Sequence, residues 1–128
     1  LTALFELNVS PDDVGVIAPF RAQVAEIRRK IESNLFSHFE DQNEIRKIVD
    51  TVDRFQGDER DVIIFSLTLQ DKEIPSILKD VRRLNVAISR ARRKFIGIGD
   101  WDKIDNHEAL ANLVKYVKAT VGADLISV

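Results

Sequence analysis

Short apolar runs that alternate with segments of helical spacing constrain the architecture of this 128-residue chain most strongly. Residues 14–18, 62–67 and 95–99 are apolar almost throughout and rich in β-branched side chains. Strands that are buried on both faces have this composition, because helices cover a parallel sheet on each side. The alternation therefore predicts an α/β fold, with a parallel sheet flanked by helices on both faces.

The other segments complete this outline. Apolar residues at helical spacing predict helices over residues 22–35, 81–92 and 108–120. Two further short runs predict a strand over residues 48–52 and a final edge strand over 125–128. Residues 36–47 are polar and irregular, and 70–75 are predicted to form a loop. In a parallel sheet, ligands bind beyond the carboxyl ends of the strands. We therefore expect residues 19–21 and 51–59, which follow two of the strands, to lie at that edge.

Composition limits the class of protein. A length of 128 residues suits one domain, and 45% hydrophobic with 31% charged residues is typical of a soluble globular protein. No apolar run approaches the ~20 residues of a membrane span, and the first residues show no signal-peptide pattern. The absence of cysteine and the two distant histidines predict no disulfide and no metal site. An intracellular location (cytoplasm, nucleoid or nucleus) fits this composition.

Charge is segregated, although the net charge is only −2. Six basic residues fall within thirteen positions, and acidic residues cluster upstream at Asp58, Glu59 and Asp61; the basic residues are Arg82, Arg83, Arg90, Arg92, Arg93 and Lys94. This distribution allows a basic cleft on a mildly acidic body.

The predicted helix over residues 81–92 carries most of these arginines. On a helical wheel, Val81, Leu84, Ala87, Ile88 and Ala91 form one apolar arc that should pack on the sheet. Arg83 and Arg90 lie together on one flank, Asn85 and Arg92 lie on the other, and Arg82, Ser89 and Arg93 point to solvent. A half-buried flank can hold a guanidinium in a fixed direction, which suits phosphate oxygens. The alternative is a solvated basic face, or pairing with Asp58, Glu59, Asp61 and Asp80.

Residues 84–92, L-N-V-A-I-S-R-A-R, resemble the sixth motif of superfamily 1 helicases, L-N-V-A-x-T-R-A-R. The branch that includes the nonsense-mediated-decay helicase and the replication helicase-nucleases is the most similar. In that family the arginine after the Ser/Thr reaches the γ-phosphate of ATP, so the resemblance implies that Arg90 is the arginine finger. Ser89 replaces the commoner threonine and keeps the hydroxyl.

Residues 51–64 resemble the fifth motif of the same family, T-V-D-x-F-Q-G-x-E-x-D-x-V-I. The resemblance implies that Gly57 lies near the γ-phosphate, that Glu59 faces the nucleotide, and that Thr51 touches the nucleic-acid backbone. A plain turn before a strand is the other reading of Gly57. Phe55 is expected in the core, and a platform for base stacking is its other reading. The roles of Asp53 and Asp61 stay open; either could cap a helix or pair with Arg54 or Arg60.

Residues 15–23, G-V-I-A-P-F-R-A-Q, resemble the family segment I-G-V-I-T-P-Y-x-x-Q. Pro19, Phe20 and Arg21 could line a single-strand path, where stacking tolerates any base. Ala18 and Phe20 lack the hydroxyls that are frequent at their positions. Phe20 could equally pack beneath the edge of the sheet.

Several family motifs are missing. No Walker A loop, G-x-x-x-x-G-K-[ST], occurs, and no D-E pair follows an apolar strand. With Leu1 first and no methionine, the chain looks like a piece of a longer protein. The resemblance thus implies a single carboxy-terminal RecA-like domain over residues 1–128, with its motifs in 14–100. A first RecA-like domain would bind most of the ATP and Mg²⁺, and the isolated chain would be inactive.

The family implies an ATP-dependent helicase or translocase on single-stranded DNA or RNA, moving 5′ to 3′ in the branch named above. Two other readings compete with this one. A RecA-like module that lost its chemistry would serve interaction or regulation, although Gly57, Glu59 and Arg90 are all retained. A flavodoxin-like or response-regulator domain would need a phosphate loop or an acidic pocket after its first strand, and neither is present.

Overall fold

The computed structural model describes residues 1–55, 58–67, 80–101, 108–119 and 123–127. The helices are α1 (Thr2–Glu6), α2 (Arg21–Leu35), α3 (Gln42–Ile48), α4 (Val81–Ser89) and α5 (Glu108–Ala119), with 3₁₀ turns at Pro11–Asp13 and Phe36–His38. The strands are β1 (Val14–Ile17), β2 (Val49–Asp50), β3 (Arg60–Leu67), β4 (Ala91–Gly99) and β5 (Ala123–Ser127). The predicted loop at 70–75 lies outside the described residues, as does Gly57.

The five strands form one sheet in the order β2-β1-β3-β4-β5, and every neighbouring pair is parallel. Val14 pairs with Val62, and Arg60 pairs with Ala91, so β3 and β4 begin at the same edge of the sheet. The predicted α/β class and parallel sheet are confirmed, and so is the edge position of the last strand.

Successive residues of β3 face opposite sides of the sheet, and each side has its own core. Ile63, Phe65 and Leu67 belong to the core beneath α4 and α5, together with the expected core residue Phe55. Val62 and Ile64 belong to the core beneath α1, α2 and α3. Burial on both faces explains why this strand has an almost continuous apolar sequence.

Residues 36–47, predicted to be irregular, form a 3₁₀ turn and most of helix α3. The carboxylate of Asp41 caps this helix by accepting hydrogen bonds from the N–H groups of Asn43 and Glu44. Glu44 in turn accepts a hydrogen bond from the N–H of Glu40 (2.7 Å). These hydrogen bonds at its start stabilise a short helix whose apolar periodicity is too brief to predict it.

The helix predicted to reach Arg92 ends at Ser89 instead, with Arg90 as its C-cap, so the helical wheel is wrong for Ala91, Arg92 and Arg93. Asp80 caps the start of α4 by accepting a hydrogen bond from the N–H of Arg82 (2.9 Å). Ala91 already pairs with Arg60 of β3, and Arg92 and Arg93 therefore belong to strand β4. Hydrogen bonding to a neighbouring strand overrides the helical pattern of the sequence here.

No helix among the described residues is long and apolar enough to cross a membrane.

Candidate nucleotide and nucleic-acid sites

Arg90 lies in the tight junction between helix α4 and strand β4. Its N–H donates to the carbonyl of Ala87 (3.3 Å), which closes the last turn of the helix. Its own carbonyl accepts a hydrogen bond from the N–H of Arg60 (2.9 Å), the first residue of β3. The backbone of Arg90 is thus fixed from two sides, by its own helix and by the neighbouring strand.

The side chain of Arg90 differs from those of three nearby arginines, which form ion pairs. Arg83 pairs with Asp53 (3.5 Å), and Arg92 and Arg93 both pair with Asp61 (3.1 and 3.3 Å). Arg90 forms no ion pair with any residue that the structure describes, and its buried Nε atom lacks a hydrogen-bond partner there. A buried donor without an acceptor is costly, so this guanidinium has the donor capacity that an anionic ligand would satisfy.

The pairing alternative from the sequence is therefore right for some arginines and not for others. Arg92 and Arg93 pair with Asp61, as that alternative expected, whereas Arg83 pairs with Asp53, which it did not include; neither aspartate pairs with Arg54 or Arg60. Asp80 acts as a helix cap.

Arg60 organises the segment that leads into β3. Its guanidinium pairs with Asp58 (3.3 Å), donates to the carbonyl of Glu59 (3.0 Å) and lies 5.5 Å from the centre of the Phe55 ring. The side chain of Glu59 is exposed next to this network, one residue from the bond between Arg60 and Arg90. Glu59 and Arg90 thus lie close together at the start of β3 and β4.

A hydrogen-bonded turn connects β2 to this region. The N–H groups of Arg54 and Phe55 donate to the carbonyl of Thr51 (3.2 and 3.0 Å). The ring of Phe55 lies against Gly15 of β1 so closely that a Cβ atom on Gly15 would be 2.7 Å from it. Glycine is required at this position because any side chain would collide with the ring.

The prediction that residues 51–59 all lie at the carboxyl edge of the sheet is only partly right. Pro19, Phe20, Arg21 and Thr51 follow β1 and β2 at the carboxyl edge, as expected. Glu59 and Arg90, however, immediately precede β3 and β4 and so lie at the amino edge. The chain has to return to that edge after β2, because the next strand is parallel.

At the carboxyl edge, two turns are joined by a hydrogen bond from the N–H of Ala18 to the carbonyl of Asp50 (3.2 Å). Phe20 is the residue that precedes helix α2, and at 39% exposure its side chain lies outside the two buried cores. Arg21 is exposed and Thr51 is half-buried. An exposed aromatic ring, an exposed guanidinium and a hydroxyl therefore share this edge.

Sequence reasoning missed one organising residue. Arg28 donates to the carbonyls of Val49 (2.6 Å) and Arg46 (3.2 Å) and pairs with Asp50 (3.4 Å), which fastens α2 to β2. Nothing in the sequence pointed to Arg28. No group of three or more His, Asp or Glu residues in the described ranges could hold a metal ion.

A family model described as an AAA domain matches residues 1–102 of the chain. The DNA replication ATP-dependent helicase/nuclease DNA2 of Xenopus tropicalis is 36% identical over 122 residues, covering 93% of this chain and 11% of that protein. The DNA polymerase alpha-associated DNA helicase A of Saccharomyces cerevisiae is 38% identical over 102 residues (76% of this chain, 13% of that protein). Helicase sen1 of Schizosaccharomyces pombe is 37% identical over 114 residues (84% and 6%).

The chain thus spans 13% or less of the length of each of these relatives. Its parallel sheet with helices on both faces is consistent with the RecA-like architecture of the matched domain. The chain belongs to the AAA domain family, in the form that occurs in superfamily 1 helicases.

Proposed function

We propose that this chain is the second motor domain of an ATP-dependent superfamily 1 helicase or translocase, a single carboxy-terminal RecA-like domain over residues 1–128 with its motifs in 14–100. The observation that supports this most strongly is the state of Arg90. Its backbone is held between α4 and β3, and its guanidinium has no carboxylate partner among the described residues. An arginine finger needs this combination of a fixed position and an available charge.

The nucleotide would lie against the amino edge of the sheet. Arg90 would offset the charge that develops on the transferred phosphoryl group, and Glu59 and Gly57 would contact the rest of the nucleotide. Mg²⁺, when bound with ATP, would neutralise charge on the phosphates. We expect a first RecA-like domain in the same polypeptide to hold most of both, because this chain has no Walker A sequence.

A single strand of DNA or RNA would lie at the opposite edge. Thr51 could donate its hydroxyl to a phosphate, Arg21 could supply charge, and Phe20 could stack on a base from the turn that follows Pro19. The turn at residues 51–55 begins at this edge, and the chain reaches the amino edge by Asp58. One short segment would therefore couple strand contact to the position of the nucleotide residues. An intracellular location, nuclear in a eukaryote, is part of the proposal.

The test uses a helicase polypeptide that contains this chain together with its phosphate-binding domain. We expect single strands to stimulate ATP hydrolysis, and we expect Phe20→Ala combined with Thr51→Val to weaken that stimulation while basal hydrolysis stays near wild type. If single-stranded nucleic acid does not change the rate of ATP hydrolysis by the wild type, the proposal is contradicted and an interaction or regulatory module is favoured.

A further inference from the structure

A groove of about 520 Å³ runs beside the edge strand β2, between helices α2 and α3. Four arginines line it, Arg28 and Arg29 from α2, Arg46 from α3 and Arg54 from the turn after β2, along with the carboxylates of Glu32 and Asp50. Arg28, Arg29 and Arg46 lie outside the helicase motifs, and Arg54 occupies a variable position of the fifth motif, where the family specifies no residue. The groove is therefore separate from the residues assigned above.

The four arginines differ in the hydrogen bonds and ion pairs that their guanidinium groups already form. Arg28 is held by Asp50 and two carbonyl groups, and Arg29 donates two hydrogen bonds to Glu26 (3.0 and 2.7 Å). The hydrogen bond from Arg29 lowers the pKa of Glu26. Arg46 and Arg54 are exposed and form no ion pair or side-chain hydrogen bond within the described ranges. Two guanidinium groups thus remain available to a ligand, while the carboxylate of Asp50 is neutralised by Arg28.

The groove adjoins the residue proposed to touch the nucleic-acid backbone. Asp50, which lines the groove, accepts a hydrogen bond from the N–H of Thr51 (2.8 Å). Arg54 lies in the same turn, and its N–H donates to the carbonyl of Thr51 (3.2 Å). A strand that contacts Thr51 would therefore meet Arg54 next. Arginine suits phosphodiesters because its planar fork can donate two hydrogen bonds to one phosphate.

We propose that this groove binds the phosphodiester backbone of the single strand as it extends beyond Thr51, with Arg46 and Arg54 as the phosphate contacts. This inference rests on the nucleic-acid part of the proposed function and enlarges the strand path from the carboxyl edge to the flank of the sheet. An acidic peptide is the competing occupant. The continuity with Thr51 favours nucleic acid.

The experiment measures binding of a dT 12-mer to the 128-residue chain by NMR titration of the backbone amides at several salt concentrations. Arg46→Gln combined with Arg54→Gln removes both free charges, and Lys115→Gln combined with Lys118→Gln removes two exposed charges from helix α5 as the matched control. Circular dichroism checks that both double variants keep the fold. We expect amides of α3 and of the turn at 51–55 to shift in the wild type.

The Arg46/Arg54 variant should bind at least about fivefold more weakly, and its slope of log affinity against log salt should be shallower by about 1.4, or about 0.7 for each contact. The affinity of the control variant for the 12-mer should stay within about twofold of the wild-type affinity, which is less than the loss of a phosphate contact would cause. Equal weakening in both variants would overturn the groove and indicate bulk charge. The proposal would also be wrong if a poly-glutamate peptide displaced the 12-mer and shifted the same amides more strongly, because the groove would then bind an acidic peptide. If the wild-type chain does not bind the 12-mer at low salt, the proposed nucleic-acid function is wrong. If only the amides of Phe20 and Thr51 shift, the strand path at the carboxyl edge stands and the proposal for the groove is wrong.

Discussion

The N–H of Arg60 donates a hydrogen bond to the carbonyl of Arg90 across 2.9 Å, and this contact joins the two halves of the candidate nucleotide site. Arg60 follows Glu59 directly, and it is the first residue of β3. Arg90 directly precedes β4. The contact belongs to the ladder between two adjacent parallel strands, so the relative position of Glu59 and Arg90 is fixed by the core of the sheet.

Replacing Gly15 by alanine should displace the turn that carries Thr51 and Phe55. A Cβ atom there would lie 2.7 Å from both the Phe55 ring and Cδ1 of Ile63, and all three residues are buried. We expect a loss of about 1–3 kcal/mol in the free energy of unfolding, which is the usual cost of overpacking. Urea denaturation measures it.

The control for this change is a double-mutant cycle with Phe55→Leu. The smaller side chain leaves room for the new methyl group, so Gly15→Ala should cost less in the Phe55→Leu background than in the wild type. An equal cost in both backgrounds would show that the Phe55 contact is not the cause.

Arg28→Ala should destabilise the chain more than Arg29→Ala, although the two residues are neighbours on α2. Arg28 is partly buried and donates to two backbone carbonyls as well as pairing with Asp50. Its removal leaves acceptors unsatisfied, at a cost of about 1–3 kcal/mol. Arg29 forms only an exposed pair with Glu26, so its loss should leave the free energy of unfolding near that of the wild type.

Thermal and urea unfolding of the two variants test this difference. Arg28→Lys should recover little of the loss, because an ammonium group cannot reach three acceptors with the geometry of a guanidinium. Equal stabilities for the two alanine variants would contradict the assignment of Arg28 as the link between α2 and β2.

Asp61→Asn should release Arg92 and Arg93 with a small effect on folding. Both arginines are largely exposed, at 51% and 80%, and screened pairs contribute about 1 kcal/mol or less. The difference from the wild type should shrink further in 1 M salt, where charges are screened within about 3 Å. A loss that is large and independent of salt would mean that Asp61 has a role in the core and not in pairing.

The isolated chain should release no phosphate from ATP above background, with or without single-stranded nucleic acid. In the proposed function its motifs would supply an arginine and residues beside the nucleotide, but its sequence has no Walker A loop to cradle the β- and γ-phosphates. A malachite-green assay measures this. Turnover comparable to that of a complete helicase would contradict the assignment to a second motor domain.

Much of the fold was predictable because burial on both faces leaves a simple signature. Most of strand β3 and residues 95–99 of β4 form apolar runs that predict strands, and helix α2 begins within one residue of its predicted start. The end of α4 was not predictable, since Ala91 and Arg92 continue a helical pattern and only the register with Arg60 makes them a strand. Helix α3 was missed because its capping by Asp41 contributes more than its apolar periodicity.

The candidate site was predictable only in part. Two short motifs identify the residues, but they do not predict the edge of the sheet at which the residues lie. The chain returns to the amino edge before Glu59, and the sequence pattern does not specify this path. The partners of Asp53 and Asp61 depend on which strands are neighbours. The contrast between the paired arginines and Arg90 is therefore a property of the fold and not of the sequence pattern.

The measurement that tests the central claim most directly compares Arg90→Ala with Arg82→Ala in a helicase polypeptide that contains this chain. Arg82 is exposed and, like Arg90, has no ion pair among the described residues. Its substitution by alanine removes the same charge as Arg90→Ala. Arg90→Ala should slow ATP hydrolysis by about a thousandfold or more, the range of arginine fingers. It should change the free energy of unfolding by about 1 kcal/mol or less and leave nucleotide-free binding of single strands near wild type. Arg82→Ala should retain hydrolysis within about threefold. Equal loss of hydrolysis in both variants, or unfolding of the Arg90→Ala variant, would contradict the assignment of Arg90 as the finger.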